Sequence, residues 1–433
     1  MTFIHGGSFI YGSGNRSVYD LGKLVARSIS IGKPVIGVNF NYRVGFCGFL
    51  ASRQIHDDLK ADGLPGNGNF GFTDQILALE WISKYVGFLG GSKEDVTVFG
   101  NSAGGMSVSL HCASKNPPPF QRAAAMSGSA LSVPTWTIDQ HQNIYNTLAK
   151  ALDIDFDSPD SLDQLRNVPE QQIASMMSFV HGIASPSCLP CADGYLFDAQ
   201  EVYDPNRKDE MLPQDLKGYM IGDCFDEGMI FCYDMEVDGN DYTYLRETME
   251  EHLKSEDVDR VLALYGIQPT LALGDLHRIM WRMTGDAYFS IPAWLSAHRS
   301  RHPKTYVYHF DQISTMPGES EGFAHHAHDL MYVFGNWSQE PTATQAKLIN
   351  SIQDGYIVFS HGEDPWESFQ PNKSWRIWGP KDEVSLRTED EDETKRKYSR
   401  MAAICSGGLW PGFHAAMDEV GSKRSKIGTK AHS

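Results

Sequence analysis

Apolar positions along the chain follow two alternating rhythms. Short runs in which nearly every residue is apolar give way to longer stretches where apolar residues recur every three to four positions. Residues 33–43, KPVIGVNFNYR, are of the first kind, with Val35, Ile36, Val38 and Phe40 predicting a buried strand over 34–40. After a Gly/Asn-rich loop, DQILALEWISKYV (74–86) sets Ile76, Leu77, Leu79, Trp81 and Ile82 at helical spacings. DVTVFG (95–100) predicts a short strand closed by glycine, AGGMSVSLHCAS (103–114) a helix of small residues, and RAAAMSGS (122–129) the next strand. Further on, LKGYMIG (216–222) and KTYVYHFD (304–311) predict strands, and 274–299 and 345–362 predict helices. Strand and helix therefore alternate, the signature of α/β layers. With no repeat and no internal linker, residues 1–433 are expected to form one domain. The acidic run TEDEDET (388–394) predicts a solvated turn, and the basic stretch from about 415 to 433 a frayed tail.

Composition narrows the function classes. Hydrophobic residues make up 41% and charged residues 21%, enough for a sizeable core, and the formal net charge of -18 argues against nucleic acid as a partner. No apolar run reaches membrane-spanning length, so no transmembrane segment is expected. No leader pattern precedes His5, which points to the cytoplasm for the chain as given; secretion would need a signal peptide upstream of Met1. The triplets at Asn15, Asn336 and Asn372 match glycosylation sequons, a pattern that chance often produces. Seven cysteines are an odd count and do not read as a disulfide framework. CLPC (188–191) has no second Cys/His pair at zinc spacing, so no metal is expected there.

The chemistry-bearing motif is VTVFGNSAGG (96–105). Gly100-Asn101-Ser102-Ala103-Gly104 is G-x-S-x-G set between a predicted strand and a predicted helix, the context of a nucleophile elbow. The small neighbours permit a sharp turn that lifts the serine hydroxyl clear of the sheet, and the helix N-terminus beyond it favours negative charge at the same spot.

These residues resemble the type-B carboxylesterase/cholinesterase-like lipase family of α/β-hydrolases. NYRVGFCGFL (41–50), GNFGFTDQILALEW (68–81) and FLGGSKEDVTVFGNSAGG (88–105) match its landmarks, as do PCADG (190–194), DAYFSIP (286–292) and VYHF (307–310). The likeness runs from residue 2 to about 340. It implies an α/β-hydrolase fold, a central mostly parallel sheet flanked by helices, and a serine esterase that needs no cofactor and acts on a small-molecule or apolar ester.

A serine needs a base oriented by an acid, and in this fold the chain order is Ser, acid, His. GDCFDEGMIF (222–231) resembles the family's acid loop and assigns the acid to Glu227, with Asp226 beside it as the competing candidate. EGFAHHAHDLMYVFG (321–335) offers His325, His326 and His328; counting back from YVFG, the family pattern selects His326 as base and Asp329 as its following acidic residue. Three histidines and an aspartate also invite a metal reading, which would leave Ser102 and Glu227 without a role. FIHGGSF (3–9) resembles the family's oxyanion loop, which implies that the amides of Gly7 and Ser8 join that of Ala103 in binding the developing oxyanion.

Two departures qualify the resemblance. Asn101 stands where the family usually has Glu, removing a negative charge near the base. Family members also carry strands ahead of the oxyanion loop, so the first strands of the sheet are expected to be missing and the outer edge of the 34–40 strand open. The competing reading is an impaired, truncated or non-catalytic α/β-hydrolase-like binding protein.

Overall fold

The computed structural model describes residues 1–183, 188–198, 202, 204, 206–231, 241–337 and 340–428. Eight strands form one sheet: β1 (Thr2–Ile4), β2 (Val38–Asn39), β3 (Thr97–Asn101), β4 (Arg122–Met126), β5 (Gly218–Cys224), β6 (Thr305–Phe310), β7 (Ser374–Trp378) and β8 (Val384–Thr388). Their spatial order is β2-β1-β3-β4-β5-β6-β7-β8. All neighbours run parallel except β7 and β8, which are antiparallel. Side chains alternate across each strand, so a parallel sheet covered on both sides needs apolar residues at both phases. Ile4, Val98, Ala123, Ala125, Ile221, Val307 and Ile377 enter one core. Phe3, Phe99, Ala124, Met126, Met220, Tyr308 and Trp378 enter the other.

Helices Phe70–Tyr85, Ala103–Ala113 and Ala343–Ser360 form where the 3.6-residue pattern places them. Within the first, Leu79 and Ile82 are buried, but Leu77 and Trp81 lie more than half exposed. The 274–299 stretch is Leu273–Gly285 and Ile291–Arg299 joined by a π-helical turn at Asp286–Ser290. Among the described residues no helix is long and apolar enough to cross a membrane.

Three expectations need correction. The 34–40 strand shrinks to Val38–Asn39, because β1 is three residues long and registers only Thr2 with Val38 and Phe3 with Asn39. The acidic run is not a solvated turn. Thr388 caps a helix over Glu389–Arg396 in a reciprocal capping box with Glu391, and Asp392 is buried. Residues from 415 onward are not frayed as a block: Trp410–Gly428 is a helix, with Phe413, Ala416, Met417 and Val420 buried at helical spacing. Residues 429–433 lie outside the described residues.

Candidate active site

Ser102 follows β3 with φ 59° and ψ -127°, a conformation strained for a side-chain-bearing residue. Hydrogen bonds hold the turn on both sides: the Ser102 N–H donates to Met126 O (2.9 Å), and its carbonyl accepts from Met106 N–H (2.8 Å). The helix that follows is composed of small residues because it touches the sheet backbone. A Cβ on Gly104 would come within 2.0 Å of Ile4 O. Ala103, the first residue of that helix, keeps its N–H free of i→i−4 pairing.

The loop after β1 lies against this turn. The Tyr42 hydroxyl donates to His5 O (2.8 Å), the His5 ring stacks on Tyr42 with centroids 4.3 Å apart, and Gly45 N–H donates to Phe9 O (2.7 Å). Burial pushes the His5 imidazole pKa below its ordinary range, favouring the neutral ring. Gly7 sits at φ +123°, where a Cβ would fall 2.0 Å from Tyr11 O. The N–H groups of Gly7 and Ser8 donate to no group among the described residues.

Glu227 follows β5 and is buried. Its Oε1 accepts the Cys224 N–H (2.6 Å), and its Oε2 accepts the Nδ1–H of His326. The His326 ring packs on Phe289 with centroids 4.6 Å apart, and its Nε2 has no partner among the described residues. Asp226 is otherwise engaged: its carboxylate accepts the Ala324 N–H (2.9 Å) and lies 3.7 Å from Arg282. The other two histidines stack on each other, centroids 4.7 Å apart, and burial lowers His328 to about 3, leaving it neutral. Among the described residues the three histidines and Asp329 do not converge as ligands. The side-chain N and O atoms of Glu251, His252 and Glu419 lie within 4.8 Å of one another, with His252 hydrogen-bonded to Glu419 (3.0 Å).

Ser102, His326, Gly7 and Ser8 line one cavity of about 650 Å³ whose walls include Phe231, Tyr288 and Phe289. A mostly apolar cleft with few convergent polar groups suits a small organic substrate. The carboxylesterase family model matches residues 1–404. The chain belongs to the carboxylesterase family. It is 26% identical over 375 residues to Lipase 3 of Yarrowia lipolytica, covering 85% of this chain and 68% of that one. It is 27% identical over 424 residues to the para-nitrobenzyl esterase of Bacillus subtilis, covering 92% and 78%. A thermophilic PNB esterase structure superposes with a TM-score of 0.72 at 24% identity, over 93% of this chain and 80% of that one, a likeness of fold. The chain thus spans about two thirds to four fifths of these relatives. Membership supports ester hydrolysis as its class of activity.

Two further residues shape this carboxylesterase's site. Asn101 is buried beside Ser102, and its Nδ2 has no partner among the described residues. Asp329, three residues after His326, is buried and accepts a hydrogen bond from Tyr308 (3.1 Å). Burial, then the nearby Glu227 charge, pushes its carboxyl up to about 7. Between the ordinary carboxylate range and about pH 7, the folded chain holds a proton that the unfolded chain has lost. Stability therefore falls as pH rises through that window and levels above it. Asp329→Asn removes this dependence. Its stability relative to the parent should rise between pH 4 and 7, on the order of 2–4 kcal/mol, as read by thermal unfolding at stepped pH.

Sequence patterns do not reveal one component near the site. Arg396 is buried between Asp223, on β5, and Asp311, just after β6, donating to both; its bonds to Asp223 are 3.1 and 3.2 Å. His309 bonds Asp223 through Nδ1 and the Tyr398 hydroxyl through Nε2 (2.9 Å), and Lys395 adds a bond to Asp311 (2.6 Å). The sequence separations reach 173 residues, so no local signal exists. No disulfide joins the six cysteines among the described residues to one another; Cys232 lies outside the described residues.

Proposed function

We propose that the chain is a serine carboxylic-ester hydrolase that works through an acyl-enzyme on a small-molecule or apolar ester. The observation that carries this reading is the hydrogen bond that Glu227 accepts from His326, which lines the same cavity as the strained Ser102. In it, His326 Nε2 takes the proton of Ser102 as Oγ attacks the ester carbonyl, and Glu227 holds the imidazole tautomer through Nδ1. The amides of Gly7, Ser8 and Ala103 receive the oxyanion. The alcohol leaves with the proton from His326, and water then enters by the same route to release the acid.

The apolar walls favour an uncharged acyl or alkyl group. Acid-quenched turnover of p-nitrophenyl esters should leave an acyl adduct on the peptide that contains Ser102, detected by mass spectrometry. Rapid hydrolysis without an adduct there would overturn the acyl-enzyme. Binding without hydrolysis would favour a non-catalytic role.

The oxyanion assignment has its own test. In Gly7→Ala the new Cβ cannot coexist with Tyr11 O, so the loop must shift and its donors move. The expected loss in kcat is about 10²–10³-fold with a smaller change in KM, measured on a p-nitrophenyl ester.

A further inference from the structure

A second cavity, of about 430 Å³, lies between the Ala343–Ser360 helix and β7, and shares no lining residue with the catalytic cleft. The helix contributes Lys347, Asn350 and Ser351 at helical spacing; β7 contributes Arg376 and Trp378, which share a face by alternation. The Arg376 guanidinium stands over the Trp366 ring, 5.4 Å from its centroid. Across the β7–β8 ladder, Arg376 registers with Leu386 and Trp378 with Val384. Directly opposed residues point to the same face, so the apolar floor continues onto two side chains that are 37% and 41% exposed.

The charges in this groove do not balance. Buried charges in proteins are normally paired, and this chain follows the rule at Arg396 and Arg400. Arg376 is half-buried and makes no ion pair among the described residues, and neither does Lys347. The one carboxylate in the wall, Asp354, is taken by Arg27 through two hydrogen bonds of 2.7 and 2.6 Å. Beneath the groove surface, the Nε of Arg376 and the indole N–H groups of Trp366 and Trp378 have no acceptor among the described residues. Burial alone pushes the Arg376 guanidinium below its ordinary pKa, with no anion to offset it. Two cations without an ion pair among the described residues, set beside an apolar floor, suit an anion with an apolar body.

We propose that this groove binds a small organic carboxylate, its charge on Arg376 and Lys347 and its apolar body against Trp366, Leu386 and Val384. A guanidinium pairs with a carboxylate through parallel hydrogen bonds, which suits Arg376. An inorganic oxyanion would meet the same cations but leave the apolar floor unused. The assignment rests on the groove and is independent of the catalytic reading.

The test is titration of the full chain with benzoate by calorimetry, and with 4-(trifluoromethyl)benzoate by fluorine NMR, alongside benzyl alcohol and inorganic phosphate. Benzoate should bind saturably. Arg376→Gln should weaken it at least about tenfold, as expected for loss of a charged hydrogen-bond partner. Lys347→Glu, at an exposed helix position, should weaken it as well and decides the matter if Arg376→Gln does not fold. Benzoate held in the catalytic cavity would ignore both substitutions. Absence of saturable binding, binding untouched by the substitutions, or phosphate and benzyl alcohol binding as tightly as benzoate would each overturn the proposal.

Discussion

Ser102→Ala is expected to lower kcat on p-nitrophenyl esters by about 10⁴–10⁶-fold while leaving thermal unfolding close to that of the parent. The size follows if the proposed triad acts as a unit. Without Oγ there is nothing for His326 to deprotonate, and the acyl-enzyme route closes. What remains in this proposal is the oxyanion donors and the cleft, which alone give modest acceleration. Stability should hold, or improve slightly, because the elbow keeps Ser102 at φ 59° for reasons that lie in the backbone contacts around it. Alanine keeps those contacts and removes only a hydroxyl. Steady-state kinetics beside a melting curve separates loss of chemistry from loss of fold. A kcat within tenfold of the parent would remove Ser102 from the mechanism.

The largest expected effect on stability is at Arg396, far in sequence from the triad. Arg396→Met fills a similar volume but leaves the carboxylates of Asp223 and Asp311, both fully buried, short of their principal cation. Breaking a buried ion network by removing one partner costs about 3–5 kcal/mol, because the remaining charges stay desolvated. Lys395 and His309 offset part of this. Burial pushes the Asp223 and Asp311 carboxyls up, but the Arg396 charge, joined by His309 at Asp223 and Lys395 at Asp311, outweighs it and holds both below the ordinary carboxylate range. The loss should therefore shrink as pH falls and these groups protonate. Activity should fall too, since Asp223 is the residue before Cys224, whose N–H holds Glu227. Chemical denaturation at neutral and acidic pH measures both parts. Unchanged stability would mean that the network contributes nothing net to the fold.

How much of this was legible in the sequence depends on how local each feature is. The elbow is legible because strand, sharp turn and small-residue helix occupy consecutive positions around Ser102. The alternation of strands and helices is legible for the same reason, and the parallel sheet follows from it. The acid and base are different. Three histidines lie within four residues, and only the family resemblance singled out His326; the hydrogen bond to Glu227 joins residues 99 positions apart. The acidic run reads as a solvated turn because charge density says nothing about what folds over it. Here Glu389 accepts hydrogen bonds from Trp294 (3.0 Å) and His298 (2.8 Å). A signal was present all the same, since Thr388 and Glu391 stand at capping-box spacing. The C-terminal helix likewise carried its apolar spacing at Phe413, Ala416, Met417 and Val420, overshadowed by the basic residues after it. β7 and β8 escaped because β7 mixes Trp375 and Ile377 on one face with Arg376 and Trp378 on the other, a pattern without clean alternation.

The central claim is that Ser102 is a nucleophile activated by His326 and Glu227. Its most direct test is labelling with a fluorophosphonate, which reacts only with an activated serine, followed by mapping of the adduct. The account predicts a single adduct on the peptide containing Ser102, lost in Ser102→Ala and strongly slowed in His326→Ala. A folded parent chain that takes no label, or a label that persists in Ser102→Ala, would contradict it.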